Sequence, residues 1–352
     1  MSQSNLRKSP VIDDRAGLKR RSTVFWGNKV VQVQPNERER QEQILSPVTN
    51  EPSTIKWVKG DLIGKGSFGH VYLALNANTG EPLAVKQIAL TAHSDEDNDG
   101  DDKLVDSIKY EIELLKDLDH DRIVSYLGFE RTDKFFSIFL EYVPGGSVMR
   151  CLRRHGPFEE DLVRFFMRQV LDGLVYLHDR GVWHRDLKAD NLLVDFEGNC
   201  KISDFGVSKA ADSDAYGTNA GATNMKGTFY WMAPEVIDSV GMAGYSAKCD
   251  IWSLGCVLLE MLTAERPWPK MTMVQIVMEV GQKRSAPPVK EGIEMSQDAI
   301  AFKNACFKAE PRERPTASQL ADDKFLTIDK EWNFKDSRLG QTIRSTNRLH
   351  SS

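Results

Sequence analysis

Apolar and polar positions divide the chain into stretches of different texture. Residues 1–53 are polar and are broken by Pro35, Pro47 and Pro52, which predicts a largely disordered N-terminal extension. Val30, Val31 and Val33 suggest one short strand there, with nothing after it to serve as a partner. From Trp57 the pattern changes. Trp57–Ile63, His70–Leu75 and Leu83–Ile88 read as three short strands joined by a glycine-rich turn and by Asn78-Thr79-Gly80. Ser94–Asp102 is too acidic to bury and reads as a mobile insert, either merely solvated or docking a basic partner. Ile108, Ile112, Leu115 and Leu118 fall on one helical face within 103–118. Further strands are expected over Ile123–Phe129 and Phe135–Tyr142, and Pro144-Gly145-Gly146 then breaks the pattern. Beyond the break, Phe166, Val170, Leu174 and Leu177 define one apolar helix face, and Ile251, Leu254, Leu258 and Leu262 another. The expected organisation is α+β: a small antiparallel β lobe with one helix (about 54–142), a larger mainly helical lobe (about 147–326) and a tail (327–352). No internal repeat is visible.

Composition narrows the class. With 352 residues, 41% hydrophobic and 28% charged, the chain fits an ordinary globular protein. A formal net charge of −5 gives no reason to expect nucleic-acid binding or a membrane-surface role. Cys151, Cys200, Cys249, Cys256 and Cys306 are scattered without metal-like spacing, which predicts reduced thiols and a cytoplasmic location. No apolar run approaches the roughly 20 residues needed to span a bilayer. The polar Met1-Ser2-Gln3 start and the Arg348–Ser352 end carry no recognisable signal peptide or lipidation motif.

Three segments carry candidate chemistry. Ile63-Gly64-Lys65-Gly66-Ser67-Phe68-Gly69-His70-Val71 is a GxGxxGxV loop, in which missing side chains let backbone N–H groups approach phosphate oxygens. The pattern also occurs in dinucleotide-binding folds, but there it opens a helix, and here a strand follows. Lys86, after Ala84-Val85 on the third strand, can hold phosphates as a point charge. Glu111 is the expected carboxylate partner for it. Glu113 is the alternative, about 200° around the same helix. The third segment is His184-Arg185-Asp186-Leu187-Lys188-Ala189-Asp190-Asn191, followed by Asp204-Phe205-Gly206. Asp186 is a candidate proton acceptor, Lys188 a positive charge beside a transferring phosphoryl group, and Asn191 and Asp204 are oxygen ligands suited to Mg²⁺. The competing reading is a structural turn rich in Asp and Asn.

These motifs resemble those of eukaryotic protein kinases, over about Trp57–Leu326. Gly227–Glu235 resembles the end of a kinase activation segment, and Asp250–Gly255 the start of the central helix of the large lobe. The resemblance implies a bilobal kinase fold with ATP and Mg²⁺ as cofactors. It implies catalytic roles for Asp186, Lys188, Lys86 and Glu111, and metal binding by Asn191 and Asp204. The implied ATP contacts are Ile63 to Val71, Ala84, Lys86, the gatekeeper Leu140, the hinge residues Glu141 and Val143, Ser147 and Leu193. A buried ion pair between Glu235 and Arg314 would anchor the substrate-binding segment.

Lys188 and Gly227-Thr228 match serine/threonine kinases. Leu62–Gly69, Glu141–Ser147 and Tyr230–Glu235 resemble MAP kinase kinase kinases. Leu115–His120, Ala189–Asp195 and Trp332–Leu339 resemble the fungal cell-wall-integrity (Ste11-type) branch. The implied partner is a MAP kinase kinase substrate, and the upstream activator is not specified. Another Ser/Thr kinase class (Ste20-like) or a non-enzymatic kinase-fold scaffold are the alternatives. Arg185 beside Asp186 suggests control by activation-loop phosphorylation, with Thr223 favoured as the site and Thr228 expected to support Asp186 and Lys188. Trp183 stands where such kinases usually carry a smaller aliphatic residue. A ring that size is expected to cost about 1–3 kcal/mol unless the loop makes room.

Overall fold

A computed structural model describes residues 30–33, 55–66, 69–90, 108–109, 112, 116–204, 229–238 and 246–350. Six strands form one sheet: β1 (Val30–Gln32), β2 (Ile55–Gly66), β3 (Gly69–Asn76), β4 (Pro82–Ala89), β5 (Tyr126–Arg131) and β6 (Phe135–Glu141), in the order β1-β2-β3-β4-β6-β5. The pairs from β2 onward are antiparallel; β2–β3, β3–β4 and β5–β6 are consecutive hairpins, and β6 returns to lie beside β4. One face of the sheet, opposite the face that carries Ala84 and Lys86, buries Trp57, Val85, Leu127 and Phe139, with Trp57 and Phe139 meeting edge to face at 5.4 Å.

Two features depart from the sequence reading. The short strand at Val30 does have a partner: β1 runs parallel to the start of β2, Val30 opposite Ile55 and Gln32 opposite Trp57, and Val33 N–H donates to Trp57 O at 2.8 Å. Val30 gains burial against the Trp57 cluster, a contact that no local pattern can reveal. The strand expected from Ile123 instead begins at Tyr126. Residues 122–124 pair with the other lobe: Ile202 N–H donates to Arg122 O at 2.8 Å and Val124 N–H to Ile202 O at 2.9 Å. That ladder ties the two lobes together.

The large lobe is built on α1 (Val148–His155), α2 (Glu160–Asp179), α3 (Lys248–Thr263) and α4 (Gln297–Cys306). The α2 face of Phe166, Val170, Leu174 and Leu177 is fully buried, as its 3.6-residue period dictates. Helix α3 is buried all round from Cys249 to Thr263 and forms the axis of the lobe. A two-stranded ribbon, β7 (Leu192–Val194) with β8 (Cys200–Ile202), lies against the segment joining the lobes.

The tail is packed rather than trailing. Phe334 is buried between Phe165 and Phe166 of α2, with ring centroids at 5.7 and 6.0 Å, and Trp332 adds a third contact at 5.0 Å. Gly198, in the β7–β8 turn, has φ +88° and would place a Cβ 2.4 Å from the Phe334 ring. Only glycine permits that turn beneath the ring. Helix α5 (Arg338–His350) continues from this anchor.

Candidate active site

Strand register assembles the upper wall of the cleft. Val71 lies opposite Lys86, and Ala84 opposite Leu140. Opposed residues share a sheet face, so Val71, Ala84, Lys86 and Leu140 form one surface. The glycine loop is a hairpin, with Gly64, Lys65 and Gly66 opposite Val71, His70 and Gly69. The chain thus returns as a strand, which excludes the helix-opening dinucleotide turn. Ser67 and Phe68 lie outside the described residues.

The floor comes from the large lobe. Leu193 bridges to Ser147, and Val194 N–H donates to Gly146 O at 2.9 Å. Gly145 makes this approach possible, since a Cβ there would sit 2.2 Å from Val194 O. Ser147 Oγ accepts from Arg150 N–H at 3.2 Å and so caps α1. At the hinge, beside buried Val143, the Glu141 carboxylate pairs with Lys201 at 2.7 Å and the Glu141 N–H donates to Ser125 O at 3.0 Å.

Lys86 is buried, and its ammonium pairs with the carboxylate of Asp204 across the cleft. Glu111, the expected partner, lies outside the described residues, as do Glu113, Phe205, Gly206, Thr223 and Thr228. Asp204 has φ +58°, a left-handed backbone that aims its side chain back toward the cleft.

The catalytic loop is a closed hydrogen-bond system. Asp186 Oδ2 accepts from Lys188 Nζ at 2.8 Å and from Asn191 Nδ2 at 3.1 Å, and Asn191 Nδ2 also donates to Asp186 O at 2.8 Å. Asn191 O in turn accepts from the Ser203 N–H and hydroxyl at 2.9 and 3.0 Å, which fixes the approach to Asp204. His184 bonds Ser203 O through Nε2 at 3.0 Å. Asp186, Asn191 and Asp204 are thereby held on neighbouring backbone.

Helix α3 suspends this loop by two carboxylates that sequence reasoning assigned no role. Asp250 accepts the N–H groups of His184 (2.9 Å) and Arg185 (2.8 Å) and bonds His178 Nε2 at 2.9 Å. Arg185 has φ +63°, a strained conformation for a non-glycine residue that these bonds hold in place. Burial alone would raise the Asp250 carboxyl. The hydrogen bond and charge of His178, then His184 and the Arg185 N–H, outweigh burial and hold the group below its ordinary value. Glu260 accepts from Ala189 N–H and Trp231 Nε1, each at 2.9 Å. The available signal was polarity: Asp250 and Glu260 are the only carboxylates in the mostly apolar run Lys248–Thr263.

Trp183 is half-buried, and the Arg185 guanidinium lies 5.3 Å from its ring centroid, so the ring packs beside that side chain. Beneath the substrate-binding segment, Arg314 is fully buried and grips Glu235 with two bonds of 2.7 Å. Its remaining donors reach the carbonyls of Lys248, Lys308 and Ala309, so every face of the charge is satisfied.

Comparison with known proteins fits this geometry. Residues 57–326 match the protein kinase domain. The MAP kinase kinase kinase mkh1 of Schizosaccharomyces pombe is 50% identical over 92% of this chain and 28% of its own length. The serine/threonine-protein kinase BCK1/SLK1/SSP31 of Saccharomyces cerevisiae is 45% identical over 95% of this chain and 22% of its own. The chain thus spans about a quarter of the length of these relatives. A crystal structure of Rad53 1–466 in complex with AMP-PNP aligns with a TM-score of 0.60 at 30% identity, covering 76% of this chain and 64% of that one. With the family matched from the first long strand to the end of the helical lobe, and its cleft assembled here residue by residue, the chain belongs to the protein kinase family.

Proposed function

We propose that the chain is an ATP-dependent serine/threonine kinase acting as a MAP kinase kinase kinase. Its substrate is a MAP kinase kinase, in a cascade of the fungal cell-wall-integrity type, and it acts in the cytoplasm without nucleic acid or membrane insertion. One observation carries the assignment. Similarity to the two fungal kinases runs over 92% and 95% of the chain, beyond the catalytic domain and into the extensions that β1 and Phe334 dock onto the two lobes. Among the described residues no helix is long and apolar enough to cross a membrane.

The residues support a stepwise account. ATP enters between Val71, Ala84 and Leu140 above and Leu193 below, with its phosphates under the Gly64–Gly69 hairpin and beside Lys86. The donor set fits Mg²⁺: a carboxylate oxygen of Asp204 and the amide oxygen of Asn191, whose nitrogen is committed to Asp186, are hard oxygens with room for phosphate oxygens and water. When bound, the ion would neutralise charge on the phosphates. Asp186 orients the substrate hydroxyl and accepts its proton as the new O–P bond forms and the bond to the ADP oxygen breaks. Lys188 places its charge beside the phosphoryl group. Arg185 reads a phosphate on the activation segment, with Thr223 as the proposed site.

The test is transfer of labelled γ-phosphate from ATP to a catalytically dead MAP kinase kinase, followed by phosphoamino-acid analysis. Wild type should label Ser and Thr. Asp186→Asn should be slower by about 10²–10⁴-fold, the range for loss of a positioned base. Absence of transfer by fully phosphorylated wild type would refute the reading.

A further inference from the structure

We propose that Phe334, in the tail, is a positioning residue for the metal ligands Asn191 and Asp204, acting through the β7–β8 ribbon that joins them. The inference deepens the kinase reading and rests on it for its metal arm. The matched domain ends at residue 326, so Phe334 reaches the cleft machinery from outside it. The two ligands stand at the open end of one ribbon. β7 leaves directly from Asn191, β8 ends two residues before Asp204, and Leu192 pairs with Ile202 between them. The ladder holds only three residue pairs. A two-stranded ribbon is at best marginally stable by itself, so its position comes from what it packs against. The open end is tied to the segment joining the lobes, where Ile202 N–H donates to Arg122 O.

The closed end has two supports. From α2, buried Gln169 donates through Nε2 to Gly198 O at 3.1 Å and accepts from Cys200 N–H through Oε1 at 2.9 Å. From the tail, the Phe334 ring covers Gly198 in the space that a side chain there would fill. The ring is 4% exposed and rests on Phe165 and Phe166, one turn before Gln169 on the same helix. Its backbone is locked as well. Phe334 O accepts from the Ser337 hydroxyl at 2.6 Å and the Ser337 N–H at 3.1 Å, and Ser337 Oγ accepts from Gly340 N–H at 3.1 Å. A Cβ at residue 340 would lie 2.1 Å from the same carbonyl, so glycine lets the tail close on itself. Leu339, buried in the lobe core, fastens the start of α5. Terminal segments are poorly ordered unless something ties them down, and this one is tied at the ribbon turn. With the ring gone, Gln169 alone would hold the closed end. The ribbon could then swing about its tie to Arg122, turning both ligands against Asp186.

Two measurements on the full chain test this, with Phe302→Leu as the control. Phe302 is fully buried on α4 against Phe325, so its loss loosens the lobe from a different helix. The first measurement, amide hydrogen exchange, needs no activity. Phe334→Ala should speed exchange over residues 192–203 about 10-fold more than in α3, and Phe302→Leu should not single out the ribbon. Equal acceleration of ribbon and α3 by Phe334→Ala would mean that the tail only adds burial, and overturns the proposal. The second is calorimetric binding of AMP-PNP with and without Mg²⁺. Phe334→Ala should cut the affinity gained from Mg²⁺ by about 5-fold, below the range of about 10–100-fold for groups that bond a metal ligand directly. Metal-free binding should stay within about 2-fold, and Phe334→Leu, which keeps an apolar contact, should fall between Phe334→Ala and wild type. An unchanged Mg²⁺ gain in Phe334→Ala, or an equal loss in Phe302→Leu, overturns the proposal. If Phe334→Ala fails to fold, Phe334→Leu decides by the same criteria, with shifts of about 2-fold. If wild type binds no nucleotide, the kinase reading fails while hydrogen exchange continues to judge the brace.

Discussion

His184 and Arg185 hang from Asp250, which is 0% exposed, whereas Leu62 and Ile63 at the mouth of the glycine hairpin are 44% and 38% exposed. The two regions face each other across one cleft and are held by different physics. The catalytic loop has short extended stretches, a strained residue and many backbone groups that a solvent-exposed loop would give to water. It is kept in shape by two carboxyl groups, Asp250 and Glu260, on a helix that is buried from Cys249 to Thr263. The hairpin keeps its shape by its own ladder, which shifts register between Lys59 and Leu62 and again between Leu62 and Gly64. Such irregularities bend and twist a strand. A site that must hold an attacking oxygen needs the first construction. A cover over phosphates that must let nucleotide in and out is served by the second.

Substitutions that probe the difference should fall in a definite order. The largest effect is expected on the large-lobe side, from Arg314→Ala. It removes the buried guanidinium that grips Glu235 and bonds the carbonyls of Lys248, Lys308 and Ala309, and should cost about 3–5 kcal/mol of stability, read from chemical denaturation. A cost under about 1 kcal/mol would show that the platform does not depend on the buried pair. Next is Lys86→Met, which keeps the stem and removes the charge facing Asp204. It should lower kcat/KM about 10²-fold, or about 2.7 kcal/mol of transition-state stabilisation, with little change in unfolding. A loss of stability larger than the loss of rate would mean that Lys86 serves the fold before the chemistry.

A pH series refines the comparison on the helix side. The Glu260 pKa is raised by folding from 4.5 to about 8, so the folded state holds a proton that the unfolded chain gives up. The stability from that proton is complete below about 4.5 and lost as pH rises toward 8. The thermal midpoint of wild type relative to Glu260→Gln should therefore fall across this window and level off above it. A flat difference would show that Glu260 titrates as an ordinary surface acid. The smallest effect is expected on the hairpin: Leu62→Ala should change stability by no more than about 0.5 kcal/mol in equilibrium unfolding.

Much of the architecture was legible because local patterns obey short-range geometry. Alternating runs placed β2, β3, β4 and β6, and periodic faces placed α2 and α3. The parallel pairing of β1 was not legible, because its partner at Ile55–Trp57 lies more than twenty residues away and neither segment advertises the other. Trp332 and Phe334 resembled a known tail, but only the structure shows them wedged against Phe165 and Gly198. Asp250 and Glu260 were visible as isolated carboxylates on an apolar helix, and nothing in the chain said which backbone groups they meet.

By itself the sequence determined the inventory: a glycine hairpin, a lysine on the third strand, and an Asp, a Lys and an Asn spaced along one loop. Side-chain chemistry and residue spacing are local properties, written directly in the chain. The tertiary structure alone decided how that inventory is held: Lys86 meeting Asp204 across the cleft, Arg185 pinned in a left-handed conformation by Asp250, and Glu260 joining Ala189 to Trp231. Those contacts join residues far apart in sequence. They depend on desolvation, which a chain acquires only when it closes around its core.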